Sequence, residues 1–115
     1  LDCLTGEISI SRADVLMDQG TSLNPMIDMG QAEGGFVMAL GYYLTEEVLW
    51  STSNEQINLG TWQYKPFGVH DMPLEFNLSF LAKAPNPSSY AVLGSKASAE
   101  PIMALGSAVF YAARG

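Results

Sequence analysis

Apolar and polar residues alternate most cleanly from Leu74 to Leu81, with Leu74, Phe76, Leu78 and Phe80 on one face and Glu75, Asn77 and Ser79 on the other. A period of two predicts a strand. A second strand is predicted over Glu7–Met17, where Ile8 and Ile10 alternate with Ser9 and Ser11 before the apolar face switches to Ala13, Val15 and Met17. Such a switch of phase points to a bulge or to a strand covered on both faces. Gly60-Thr61-Trp62-Gln63-Tyr64 reads as a short third strand, broken by Lys65-Pro66-Phe67-Gly68.

Between the first two patterns the period lengthens. Gln19–Pro25 is rich in turn formers, and Phe36, Leu40, Tyr43, Leu44 and Val48 then recur at helical spacing to about Trp50. Asp28 is placed to cap this helix, with Gln31 in a capping-box-like Asp-x-x-Gln. Gly30, Gly34, Gly35 and Gly41 all fall within it. Each costs about 1 kcal/mol relative to Ala in a helix interior. A compensating gain is expected, either close approach of another backbone or of a flat ligand. Ser51–Asn58 and Ala84–Ser89 read as loops. Pro101 suits a first helical turn, and Ile102–Ala113 is apolar on nearly every face, which predicts a second, buried helix. The order strand, helix, strands, loop, helix predicts an α+β fold: a mixed sheet packed with two helices.

Composition narrows the possibilities. With 115 residues, 48% of them hydrophobic, a single domain with a packed core is feasible. The formal net charge is −7, and the five cations, Arg12, Lys65, Lys83, Lys96 and Arg114, are scattered, so nucleic acid and anionic membranes are not expected as partners. No membrane-spanning run or secretory signal is visible. The lone Cys3 rules out an internal disulfide and suits a reducing compartment. The Asn77-Leu78-Ser79 sequon lies inside a strand pattern and is discounted. Both ends read as cuts: no initiator Met precedes Leu1, and the helical pattern still runs at Arg114-Gly115.

Chemistry concentrates in Ser95-Lys96-Ala97-Ser98-Ala99-Glu100-Pro101. One carboxylate stands among small side chains at the head of the second helix, where another molecule has room to approach the backbone. Glu100 is therefore either a general base at the edge of a pocket or a helix-start acid that complements the macrodipole. Gln31 is either a cap or an amide, donor and acceptor together, offered to a polar heterocycle. His70, the only histidine, has Asp71 beside it, but neighbours in a strand point to opposite faces, and a surface position is expected. The glycines do not spell a dinucleotide loop.

Asp28-Met29-Gly30-Gln31-Ala32-Glu33-Gly34-Gly35-Phe36, running on through Leu40-Gly41-Tyr42-Tyr43-Leu44-Thr45-Glu46-Glu47, resembles a signature helix of the molybdenum hydroxylases, the xanthine dehydrogenase and aldehyde oxidase family. Asp18-Gln19-Gly20 and Ser22-Leu23-Asn24-Pro25 precede it in the family's order. Tyr64-Lys65-Pro66, Asp71-Met72-Pro73-Leu74-Glu75-Phe76-Asn77, Ala84-Pro85-Asn86-Pro87, Ser95-Lys96-Ala97 and Glu100-Pro101 follow. The resemblance runs from about Glu7 to Arg114. It implies a segment near the C-terminus of the molybdopterin-binding portion of a larger enzyme that oxidises aldehydes or N-heterocycles.

In that light Glu100 falls on the family's catalytic glutamate, the base toward the hydroxyl on molybdenum. Gln31 matches a glutamine that hydrogen-bonds the pterin, and Ser98 and Ala99 lie where the backbone approaches the same cofactor. FAD and two [2Fe-2S] clusters are implied elsewhere in the parent chain, together with a cytoplasmic homodimer. Two departures stand out, Ala99 where the family usually has Gly and Ile102 where it has a second Pro. Ala99 leaves open a non-catalytic relative serving as a structural or binding module. Gly60-Thr61-Trp62 leans toward aldehyde oxidase.

Overall fold

The computed structural model describes all residues, 1–115. The first regular element is strand β1, Arg12–Met17, with Ala13, Val15 and Met17 buried and the residues between them exposed. It starts after the switch of phase, so Ile8 and Ile10 precede the strand rather than crossing a bulge within it. Helix α1 spans Pro25–Leu44 and strand β2 spans Glu75–Phe80. The two strands run parallel, pairing Ala13 with Phe76, Val15 with Leu78 and Met17 with Phe80. Parallel neighbours need a long crossover, and the segment carrying α1 supplies it. The expected mixed sheet is here a two-stranded parallel one.

The buried core forms where α1 lies on this sheet. Ala32, Phe36 and Leu40 recur every four residues along one face and meet Ala13, Val15 and Met17. Phe36 stacks on Phe76 with ring centroids 5.0 Å apart. Ile102, fully buried, closes the cluster from the far end of the chain.

Both ends of α1 differ from expectation. Asn24, not Asp28, is the N-cap: its side-chain oxygen accepts the Ile27 N–H, and Pro25 follows where a missing N–H is harmless. Asp28 instead accepts the Ser22 hydroxyl. At the other end the helix stops at Leu44. The Gly41 carbonyl takes both the Thr45 and Glu46 N–H groups, and the Thr45 hydroxyl donates to the Lys65 carbonyl at 2.8 Å. Beyond it, Asn58, buried, accepts the Leu49 N–H and donates to the Glu47 carbonyl, which folds the polar loop back on itself.

Gly60–Tyr64 is a turn, not a strand, because the Gly60 carbonyl accepts the N–H groups of both Gln63 and Tyr64. His70 lies exposed in a short 3-10 turn, Val69–Asp71, where the Asp71 carboxylate accepts the Gly68 N–H and is turned to local capping.

The apolar run after Pro101 forms two helices, α2 at Glu100–Leu105 and α3 at Ser107–Arg114, separated at Gly106. A Cβ at Gly106 would lie 2.4 Å from the Ala39 Cβ, so the break coincides with contact against α1. The Ser107 hydroxyl donates to the Ala104 carbonyl across the break. Burial reaches only Ile102 and Gly106 in this region, and the remaining faces expected to be covered are half-buried or open.

Candidate active site

Glu100 opens α2, with Pro101 in the first turn, and its side chain is exposed. Its position follows from the residue before it. Gly35 on α1 faces Ala99 and Ile102 so closely that a Cβ there would stand 3.1 Å from the Ala99 carbonyl oxygen and 2.9 Å from Ile102 Cγ2. Gln31 lies one helical turn before Gly35, on the same side of α1. This contact sets the middle of α1 against the mouth of α2, with Gln31 one turn N-terminal to it and Glu100 next to Ala99 in the chain.

Gln31 has no capping duty, since Asn24 performs it, and its amide is exposed. Ser98 and Ala99 are half-buried, Ala99 against Gly35. Ala99 has φ −88° and ψ −40°, a conformation any residue adopts, so the methyl that replaces the usual glycine hydrogen strains no backbone. Ile102, the second departure, provides the side chain that fills the space over Gly35.

The glycines of α1 divide in two. Gly35 and Gly41 have close neighbours, the latter the Phe67 N–H and the Glu46 carboxylate. At Gly30 and Gly34 a Cβ would meet nothing within 4 Å. An open groove of about 740 Å³ lies elsewhere, between β1 and α3; Glu100, Gln31, Ser98 and Ala99 do not line it.

The segment that delivers Glu100 is strapped to the β1–α1 connection. The chain turns through Leu93 and Gly94, both left-handed, and Gly94 offers its carbonyl to the N–H groups of Thr21 and Asn86. The Lys96 ammonium meets the Asp18 carboxylate at 2.5 Å. That hydrogen bond, joined by one from the Gly20 N–H, holds the Asp18 carboxyl below its ordinary range. Sequence spacing contains no signal for this contact, because Asp18 and Lys96 stand 78 positions apart.

A family model of the molybdopterin cofactor-binding domain matches residues 1–73. The chain belongs to that family. Over 114 residues it is 46% identical to a xanthine dehydrogenase of Dictyostelium discoideum, which spans 99% of the chain and 8% of the relative. An aldehyde oxidase 3 of Rattus norvegicus is 44% identical over 112 residues, again 8% of its length. The fold matches quinoline 2-oxidoreductase from Pseudomonas putida 86 with a TM-score of 0.65 and 30% identity, covering 79% of this chain and 11% of that one. These relatives place the chain with the molybdenum hydroxylases. Identity to the two enzyme types is nearly equal, so the leaning toward aldehyde oxidase at Gly60-Thr61-Trp62 gains nothing from it.

The residues present suit a molybdopterin. A flat heterocycle edged with donors and acceptors needs an uncommitted amide and a surface without Cβ atoms. Gln31, between Gly30 and the Gly34 turn, offers both.

Proposed function

We propose that this chain is the C-terminal part of the molybdopterin-binding portion of a larger molybdenum hydroxylase, and that it contributes the catalytic glutamate. The relatives it matches are about twelve times longer, since it spans only 8% of each. Several very large apolar side chains are open on its surface, among them Leu4, Tyr90, Met26 and Trp62, and the rest of the parent polypeptide is the natural cover.

Bound molybdopterin supplies the metal at which the substrate, an aldehyde or an electron-poor N-heterocycle, is oxidised. The Gln31 amide hydrogen-bonds the polar edge of the pterin. Ser98 and Ala99, small and half-buried, let that cofactor come close to the main chain. Glu100 accepts, at a carboxylate oxygen, the proton of the oxygen nucleophile that attacks the substrate carbon. FAD and [2Fe-2S] clusters belong to other segments of the parent, which we expect to work as a cytoplasmic homodimer.

The observation that carries this reading is the contact of Gly35 with Ala99. It joins the Gln31 helix to the Glu100 segment. The alternative, a non-catalytic relative, draws its support from Ala99, whose φ of −88° and ψ of −40° are open to any residue. The test is Glu100→Gln in the full-length enzyme. Turnover should fall by about a hundredfold or more while molybdenum content stays near normal, since general bases contribute on that order. Substantial remaining turnover would take Glu100 out of the role.

A further inference from the structure

Glu100 stands on a short helix with one buried residue, Ile102, and six residues do not hold their own orientation in water. Something else must fix where the carboxylate points. The side of α1 supplies one anchor, Ala99 against Gly35. The second lies three residues earlier, at Lys96.

The connection after β1 grips Lys96 at three places. The Asp18 carboxylate holds its ammonium at 2.5 Å. The Gln19 carbonyl accepts its N–H at 3.2 Å, and the Gln19 side-chain amide donates to its carbonyl at 3.5 Å. Gly20, with φ +66°, makes the approach possible: a Cβ there would lie 2.6 Å from the Gly94 carbonyl and 2.9 Å from Lys96 Cγ. Gln19 is almost completely buried, 2% exposed, and its Oε1 has no hydrogen-bond partner. A buried amide with an orphaned acceptor is unfavourable for stability. Its retention calls for a reason other than stability, and its one side-chain bond is the grip on Lys96.

We propose that Asp18 and Gln19 are positioning residues that set the location of Glu100 by clamping Lys96. Only Ala97 and Ser98 separate this clamp from the Ala99 anchor. The three steps from Lys96 to Ala99 reach at most about 11 Å, which limits the slack between the two anchors. The inference rests on the reading of Glu100 as the base, while its structural half stands independently. Asp18→Asn removes the charge from one grip. Gln19→Leu removes another together with the orphaned oxygen, so it should leave stability unchanged or raised. Asp18→Glu keeps the ion pair through the flexible lysine.

The variants are made in the full-length enzyme. Amide hydrogen exchange of the peptide spanning 94–100 is followed with and without cofactor, alongside kcat, KM and molybdenum content. Asp18→Asn and Gln19→Leu should each speed exchange of that peptide severalfold. They should also lower kcat about tenfold or more at unchanged KM and molybdenum content, because misplacement of about 1 Å can cost a hundredfold. Asp18→Glu should restore both readouts. Unchanged exchange would overturn the clamp, and faster exchange with wild-type kcat would overturn its role in positioning. Should Glu100→Gln keep its turnover, the base assignment fails by itself, and the exchange data still decide the clamp.

Discussion

Gly35→Ala sets two known effects against each other at the contact that joins α1 to Glu100. In an open helix interior the added methyl would stabilise by about 1 kcal/mol. Here the new Cβ falls 2.9 Å from Ile102 Cγ2 and 3.1 Å from the Ala99 carbonyl oxygen, both inside ordinary contact distance. Carbon atoms pack at about 3.5–4.0 Å, so α2 must move outward by roughly 0.6–1 Å. Overpacking of that kind costs about 1–3 kcal/mol, which leaves a net loss of roughly 0–2 kcal/mol. Gly34→Ala, one residue away with nothing within 4 Å, lacks the opposing cost and should gain about 1 kcal/mol. Denaturant unfolding of the cofactor-free full-length protein should therefore move in opposite directions for the two variants. In the loaded enzyme, Gly35→Ala should also lose about ten- to a hundredfold in kcat, since the shift is passed directly to Ala99 and Glu100. A stabilised Gly35→Ala with normal kcat would refute the reasoning.

Other expectations follow from neighbouring contacts. Gly106→Ala should destabilise by about 1–3 kcal/mol because its Cβ would overlap that of Ala39, and Ala39→Gly in the same chain should recover part of the loss in melting temperature. Gln31→Ala should lower the molybdopterin retained after gel filtration while changing turnover per bound molybdenum much less. The Asp18 carboxyl is depressed below 3.8 in the folded chain by Lys96 and the Gly20 N–H. Its contribution to stability is complete above pH 3.8 and disappears as pH falls through the lowered folded value. Urea unfolding of Asp18→Asn across that acid range should show a shallower loss of stability than the parent, and an identical slope would contradict the linkage.

Strand β2 and the body of α1 were legible because each repeats a simple period against one partner: Phe76, Leu78 and Phe80 against the core, and Phe36 and Leu40 at helical spacing. The misreadings occur where distant groups decide. Asp28 looks like a cap in isolation, but its carboxylate accepts the Ser22 hydroxyl and Asn24-Pro25 starts the helix four residues earlier. The end of α1 depends on the Thr45 hydroxyl finding the Lys65 carbonyl. The break at Gly106 depends on Ala39 in another helix, which no local pattern in Ile102–Ala113 reveals.

The site was legible in a different way. Glu100 among small residues and Gln31 among glycines carry local chemical signals, whereas their association rests on Gly35 meeting Ala99. Spacing alone left base or helix-start acid open for Glu100, and cap or ligand for Gln31. The cap is now assigned to Asn24. The resemblance supplied the pairing of the two residues, and the contact between their carriers gives it a physical route.

Under the proposed function, Glu100 and Gln31 address one molybdopterin from two sides of the α1–α2 contact. A structure of the full-length protein with the cofactor bound tests it most directly. The Glu100 carboxylate should be directed at the metal's reactive face and the Gln31 amide should be hydrogen-bonded to the pterin. A carboxylate turned into bulk solvent, with the cofactor held by neither residue, would contradict it.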